Sequence, residues 1–307
     1  MKTHPFTSLM QAIVPILLIS APISRGQQTS SNWGMGPAGI NAIRAHDIAR
    51  GAGVKVGILD TGIQKNHPDL KANIIGGINL VKTAGGATKW DDDNGHGTHI
   101  AGVIAAVDNT IGYTSVAPLA KLFVVKVLHK DYASNPALID PKVVADGIYT
   151  CMSNGVQVIN MGFGIAVDSP VLHNAVIAAS NAGIVLVAAV GDNSSPNVLY
   201  PAKYPEVIAV SAVQSNGPGL LFWGYSNCGP EVDFTAPGTA VYSTWINSTY
   251  RPSGGTGSAA AHVSGVAALM FSAGKVDLVG KDVYLTALPP EQQGLGLIDA
   301  YLTVTAQ

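Results

Sequence analysis

Three short runs of this chain carry groups able to do chemistry at the ends of regular elements. Val54 to Leu59 is β-rich and ends in Asp60-Thr61-Gly62, which reads as a buried strand closing on a turn. Its carboxylate then stands at the strand's C-terminal end, the edge of an open α/β sheet where ligands and catalytic groups collect. Further along, Asn94-Gly95-His96-Gly97-Thr98-His99 leads into small and apolar residues at helical spacing from Ile100 to Val107, so His96 stands at a helix N-terminus. Gly254-Gly255-Thr256-Gly257-Ser258 opens a second helix, Ala259 to Phe271, and a hydroxyl there lies near the positive end of a helix dipole.

Other chemistries are weaker fits. Asp60-Thr61-Gly62 suits an aspartic protease, but that mechanism needs two such aspartates sharing a proton, and no second Asp-Thr/Ser-Gly occurs. Asp91-Asp92-Asp93 suggests a calcium loop of the EF-hand type. The glycine at 95 would then require an oxygen ligand at Trp90, and the closing glutamate is missing, so a solvated loop is expected. His67, His99 and His262 are expected to be satisfied structural histidines.

The three runs occur in order with His67-Pro68-Asp69-Leu70, Val158-Ile159-Asn160-Met161, Tyr204 to Val210, Ala236-Pro237-Gly238 and Gly294 to Ala300. With Gly255-Thr256-x-x-Ala259-x-x-His262-Val263 as the last chemical block, the chain from about Trp33 to its C-terminus resembles the subtilases, the subtilisin-like serine proteases. The resemblance implies acyl transfer: a serine attacks the peptide carbonyl, His96 takes its proton, and Asp60 holds the imidazole in the right tautomer. The nucleophile position, five residues before His262, is Gly257. Ser258 follows one place late, about 100° further round a helix. Two readings follow: a subtilisin-like fold that has lost proteolysis and binds an extended polypeptide, or an endopeptidase working through Ser258 with Asp60 and His96.

The same resemblance implies further site residues. Asp192 takes the oxyanion position, where a carboxylate accepts hydrogen bonds and donates none; Asn193 is an alternative donor. Gly162, Phe163 and Gly164 form the edge against which a peptide adds as a strand through backbone groups. Tyr132-Ala133-Ser134 lies in the opposite wall, around a short insertion. Asp69, Asn109 and the carbonyls of Val107, Ile111 and Tyr113, with Gln28 as a doubtful sixth, match a structural Ca²⁺ loop. A metal-free polar turn is the other reading of that loop.

The groups above need elements to hold them. Strands are expected near Val54–Leu59, Leu122–Val127, Val156–Asn160, Ile184–Ala189 and Val207–Val213, with helices near Ile40–Ile48, Ile100–Val107, Pro141–Ser153, Pro170–Ala182 and Ala259–Phe271. This alternation predicts an α/β, three-layer fold with a mainly parallel central sheet and helices on both faces. With 307 residues, 47% hydrophobic content and 35 glycines, one large domain is expected. Residues 1–26 read as a secretory signal peptide, with Lys2 before an apolar stretch too short to span a bilayer. Residues 27–307 then form the peptidase-like domain with no prodomain, as a secreted monomer. Only 12% of residues are charged and the net charge is −2, which points to neither nucleic acid nor a membrane surface. Cys151 and Cys228 read equally as a disulfide or as two thiols, and Asn193-Ser194-Ser195 and Asn247-Ser248-Thr249 are glycosylation triplets.

Overall fold

The structure is a computed structural model that describes residues 33–217, 219–281 and 289–306. The expected leader and Gln28 lie outside the described residues. Parallel strands form the centre of the sheet: β1 (Lys55–Asp60), β2 (Ile74–Asn79), β3 (Lys121–Lys126), β4 (Val158–Met161), β5 (Val185–Ala189), β6 (Ile208–Asn216) and β8 (Val232–Pro237). The order across the sheet is β11-β12-β8-β6-β5-β4-β1-β3-β2, with β11 (Gly280–Lys281) and β12 (Leu297–Ile298) at one edge. β7 (Gly219–Phe222) turns back antiparallel on β6.

Period-two side-chain alternation sorts the strands into two cores. On β5, Val185, Val187 and Ala189 face one side, packed with α2 (His96–Ala105) and α5 (Thr256–Ser272) through Ile100, Ile104, Val263 and Val266. Leu186 and Ala188 face the other, against α3 (Pro141–Ser153) and α4 (Pro170–Asn181) through Val144, Ile148, Leu172 and Val176. The three-layer expectation is met. Both outer helices start where their caps dictate. Asp140 and Ser169 accept from the backbone N–H of Lys142 and Leu172, and each is followed by proline, whose missing N–H costs nothing in a first turn.

Two elements begin earlier than their sequence suggests. α2 starts at His96 itself and α5 at Thr256, so His96, Gly257 and Ser258 all lie in first turns. α1 (Ala42–Ala45) is only a short piece of the helix expected over 40–48. A hairpin, β9 (Val241–Trp245) with β10 (Thr249–Ser253), lies across α2, where the Ser243 and Thr244 hydroxyls donate to the carbonyls of His99 and Thr98 at 2.6 and 2.7 Å. The described chain closes with α6 (Pro290–Gln293) and α7 (Ala300–Thr305). No described helix is long and apolar enough to cross a membrane.

Cys151 and Cys228 are both free thiols, which rejects the disulfide alternative. Cys151 sits in the core, its sulfur against the face of Gly57 on β1. Burial pushes its thiol far above the ordinary range.

Candidate active site

Asp60 ends β1 fully buried, and its carboxylate accepts from His96 Nδ1 at 2.8 and 2.9 Å and from the Thr61 N–H at 2.7 Å. The start of α2 is pressed against this strand end. A Cβ on Gly97 would come within 2.1 Å of the Gly62 carbonyl and 3.1 Å of Asp60, so only glycine permits the approach.

Asp92 secures the junction and is no solvated loop residue. It accepts from the Thr61 hydroxyl (2.9 Å), the N–H groups of Asn94, Gly95 and Thr98 (3.0, 2.9 and 2.9 Å), and the Thr98 hydroxyl (2.6 Å). Gly95, the N-cap of α2, has no side chain to cap with, so Asp92 supplies the anion that the helix start favours. Asp93 is tied to the buried Lys126, and only Asp91, paired with Lys65 on the surface, behaves as expected for a solvated loop.

Burial disfavours the charged form of His96, but the charge and hydrogen bond of Asp60, with the charges of Asp92 and Asp192, outweigh it and raise the pKa. The Tyr132 ring stands edge-on to the imidazole, centroids 5.8 Å apart, and forms one wall. The other histidines are structural. Burial lowers His99 to about 3 and His262 to about 4, and they contact the carbonyls of Val241 and Ser258 at 2.9 and 2.8 Å. The Nδ1 of His67 accepts from the Asp69 N–H.

The residue opposite His96 Nε2 is Gly257. A Cβ built there would lie 3.2 Å from that nitrogen and 2.7 Å from the Gly162 carbonyl oxygen, closer than ordinary contact allows. Any side chain at 257 would therefore meet the Gly162 backbone. Ser258, one helical step further round, is 2% exposed.

Asp192 does not project into the site as a bare repelling carboxylate. Its Oδ1 accepts from the Thr256 N–H (2.8 Å) and the Thr256 hydroxyl (2.6 Å), and that hydroxyl also accepts from the Gly191 N–H (3.1 Å). α5 has Gly255 as its N-cap with no side-chain hydrogen bond, so a carboxylate 64 residues upstream does the capping. Asn193 lies beside it, with its N–H on the Asn227 side-chain oxygen at 3.1 Å. On the far side, Gly162, Phe163 and Gly164 follow the last ladder pair of β4, Met161 with Ala188, and precede the bridge between Ile165 and Tyr200. The Phe163 side chain is buried in the core, so only backbone faces the cleft at that position.

Away from the cleft, Asp69 is fully buried, and burial raises its pKa against the hydrogen bonds of Asn109, Tyr250 and Tyr113. The Asn109 amide N–H and the Tyr250 hydroxyl reach it at 2.6 and 3.2 Å, and Asn109 Oδ1 accepts from the Ile111 N–H. Among the described residues no cationic side chain pairs with Asp69, while the neighbouring Asp108 is neutralised by Arg50. A buried carboxylate without a counter-charge, beside a loop rich in carbonyls, fits a hard oxygen-liganded cation.

Sequence reading named Asp60, His96 and Gly257 and put Tyr132 in a cleft wall, but it took Asp92 for a solvated loop residue and did not foresee the bonds of Thr256 to Asp192. Asp92 carried a readable signal, since an aspartate shortly before a helix whose own N-cap is glycine is a candidate cap.

The profile of the subtilase family matches residues 51–288. The chain is 43% identical over 244 residues to subtilisin DY of Bacillus licheniformis, covering 77% of this chain and 84% of that protein. It is 41% identical over 243 residues to thermitase of Thermoactinomyces vulgaris, covering 78% and 82%. Similarity to a thermostable alkaline protease of Halalkalibacterium halodurans is 43% over 241 residues, 78% of this chain but 62% of that longer protein. The chain belongs to the subtilase family.

Proposed function

We propose that this chain is a secreted subtilase-fold protein that holds an extended polypeptide in its cleft without cutting it. One observation carries the reading: residue 257, where an added Cβ would lie 3.2 Å from His96 Nε2, is a glycine. His96 remains oriented by Asp60 and able to take a proton, but the residue opposite has no hydroxyl to give one. No acyl intermediate can then form. In a subtilisin, losing the triad serine costs about 10⁶ in turnover, a measure for the family and not for this chain. A peptide still has the backbone of Gly162 to Gly164 to pair with, as strand addition requires no catalytic group.

Ca²⁺ would be held by Asp69 with Asn109 and the carbonyls of Val107, Ile111 and Tyr113, where it would neutralise the buried carboxylate. Raised thermal stability on adding Ca²⁺, lost in Asp69→Asn, is the expected sign.

Incubation with a fluorophosphonate probe tests the central reading. No covalent label and no cleavage of unfolded casein are expected from the purified protein. Labelling at Ser258 that disappears in His96→Ala would instead establish an active endopeptidase.

A further inference from the structure

The start of α5 is flanked by hydrogen-bond acceptors. A Cβ built on Gly257 would lie 2.7 Å from the Gly162 carbonyl oxygen and 3.2 Å from His96 Nε2, and a Cβ on Gly255, the N-cap of the same helix, would lie 2.6 Å from Asp192 Oδ2. All three acceptors have capacity to spare. Asp60 takes the Nδ1 proton of His96, which leaves a lone pair on Nε2 of the neutral imidazole. Asp192 uses only Oδ1 on the Thr256 N–H and hydroxyl. Among the described residues no donor reaches Nε2, Asp192 Oδ2 or the Gly162 carbonyl. A ligand can approach, since Asp192 is exposed and the His96 side chain is 21% exposed.

The electrostatics favour a cation at this spot. Burial disfavours a charged imidazole, yet Asp60, Asp92 and Asp192 together outweigh it, while Tyr132 stays neutral because burial and the same carboxylates push its hydroxyl well above the ordinary range. The starts of α2 and α5, whose dipoles would oppose a cation, are each capped by one of these carboxylates. A developing oxyanion would be repelled by Asp192, whereas a primary ammonium brings three N–H donors and no acceptor, one donor for each of the three atoms. We propose that the cleft binds a primary ammonium group of an extended peptide beside Gly257, held by Asp192 Oδ2, His96 Nε2 and the Gly162 carbonyl. The proposal rests on the peptide-binding reading and adds the ligand class to it. The peptide pairs along Gly162 to Gly164, and the ammonium comes from its free N-terminus or from a lysine side chain. Protonating His96 turns one acceptor into a donor, so the ammonium and the proton compete.

The test measures binding of three peptides to the full chain and to Asp192→Asn by calorimetry: pentaalanine amide with a free N-terminus, its acetylated form, and the acetylated form with a central lysine. Asparagine keeps an oxygen for Thr256 and removes only the charge. At least one ammonium peptide should bind the parent about tenfold or more tightly than the neutral one, the scale of hydrogen bonds to charged groups, and which of the two gains identifies the source. Asp192→Asn should bind all three alike. The His96 titration midpoint should fall further with the ammonium peptide than with the neutral one, and equal shifts overturn the proposal. Equal affinity of the parent for all three peptides also overturns it and leaves the peptide-binding reading standing. So does a preference that survives in Asp192→Asn, because the charge would then be read elsewhere. Should that variant fail to fold, salt decides: the parent's preference should shrink as ionic strength rises, and a salt-independent preference overturns the proposal. If no peptide binds the parent, the peptide-binding reading falls and takes the ammonium site with it.

Discussion

The two sides of the cleft have fared differently. On the β1–α2 side the carboxylates are well bonded: Asp60 to His96, and Asp92 to five donors. On the β4–β5–α5 side the residue opposite His96 Nε2 is a glycine, a side chain there would meet the Gly162 carbonyl, and Asp192 caps a helix. The preserved groups also hold the structure together, because Asp60 and Asp92 satisfy a strand end and a helix start that would otherwise be left unpaired. A side chain at 257 would meet the imidazole and the Gly162 carbonyl. On the proposed reading, a glycine there removes chemistry while leaving the fold intact.

The largest effect on this comparison should come from Asp92→Ala. It strips several charge-assisted hydrogen bonds from one partly buried junction, and a destabilisation of roughly 3 kcal/mol is expected in chemical denaturation. A change under about 0.5 kcal/mol, typical of an ordinary surface site, would mean that this side is no better anchored than the other.

Gly257→Ser comes next and probes the emptied side. Its Cβ would stand 2.7 Å from a backbone oxygen, so we expect a cost of about 1 to 2 kcal/mol from the strain of overpacking and no return of casein cleavage. The nearby Gly162→Ala is the control. Its Cβ would meet His96, Gly257 and Asp60 no closer than 3.4 Å, which is ordinary contact, and a near-neutral melting temperature is expected. Full activity in Gly257→Ser would show that the emptied side is still organised for catalysis. Smaller again is Asp192→Ala, which removes a helix cap and should cost about 1 kcal/mol. An unchanged stability would leave the aspartate without the structural role given to it above.

Local patterns made the framework and the order of the chemical blocks readable, since period-two strands and capped helices declare themselves within a dozen residues. β2 escaped because Gly76 and Gly77 interrupt its apolar alternation, and its register shifts between Ile74 and Gly76. The β9–β10 hairpin escaped because its turn uses left-handed Asn247 and Ser248, at φ 62° and 54°, where glycine is the usual signal. Asp60, His96 and Gly257 lie in contiguous motifs and could be named directly. The capping of α5 by Asp192 depends on a contact between distant segments, about which neighbouring letters carry no information.

The smallest expected effect concerns the charge on His96, and it measures how far the two sides still communicate. Burial opposes protonation, yet Asp60, Asp92 and Asp192 together raise the imidazole above its ordinary value near 6.5. Because the folded value exceeds the unfolded one, the stabilisation is fully present below about pH 6.5 and is lost as pH rises through the folded value. Stability measured relative to His96→Gln should therefore decline from mildly acidic to mildly alkaline pH. Asp192→Asn removes one of the three carboxylates from the emptied side, so the midpoint followed through the imidazole Cε1–H resonance should fall, though less than in Asp92→Asn. A midpoint below the ordinary value in the parent protein would mean that burial has won. A midpoint indifferent to Asp192 would mean that the helix cap screens its charge from the imidazole, and the two sides of the cleft would then be electrostatically separate.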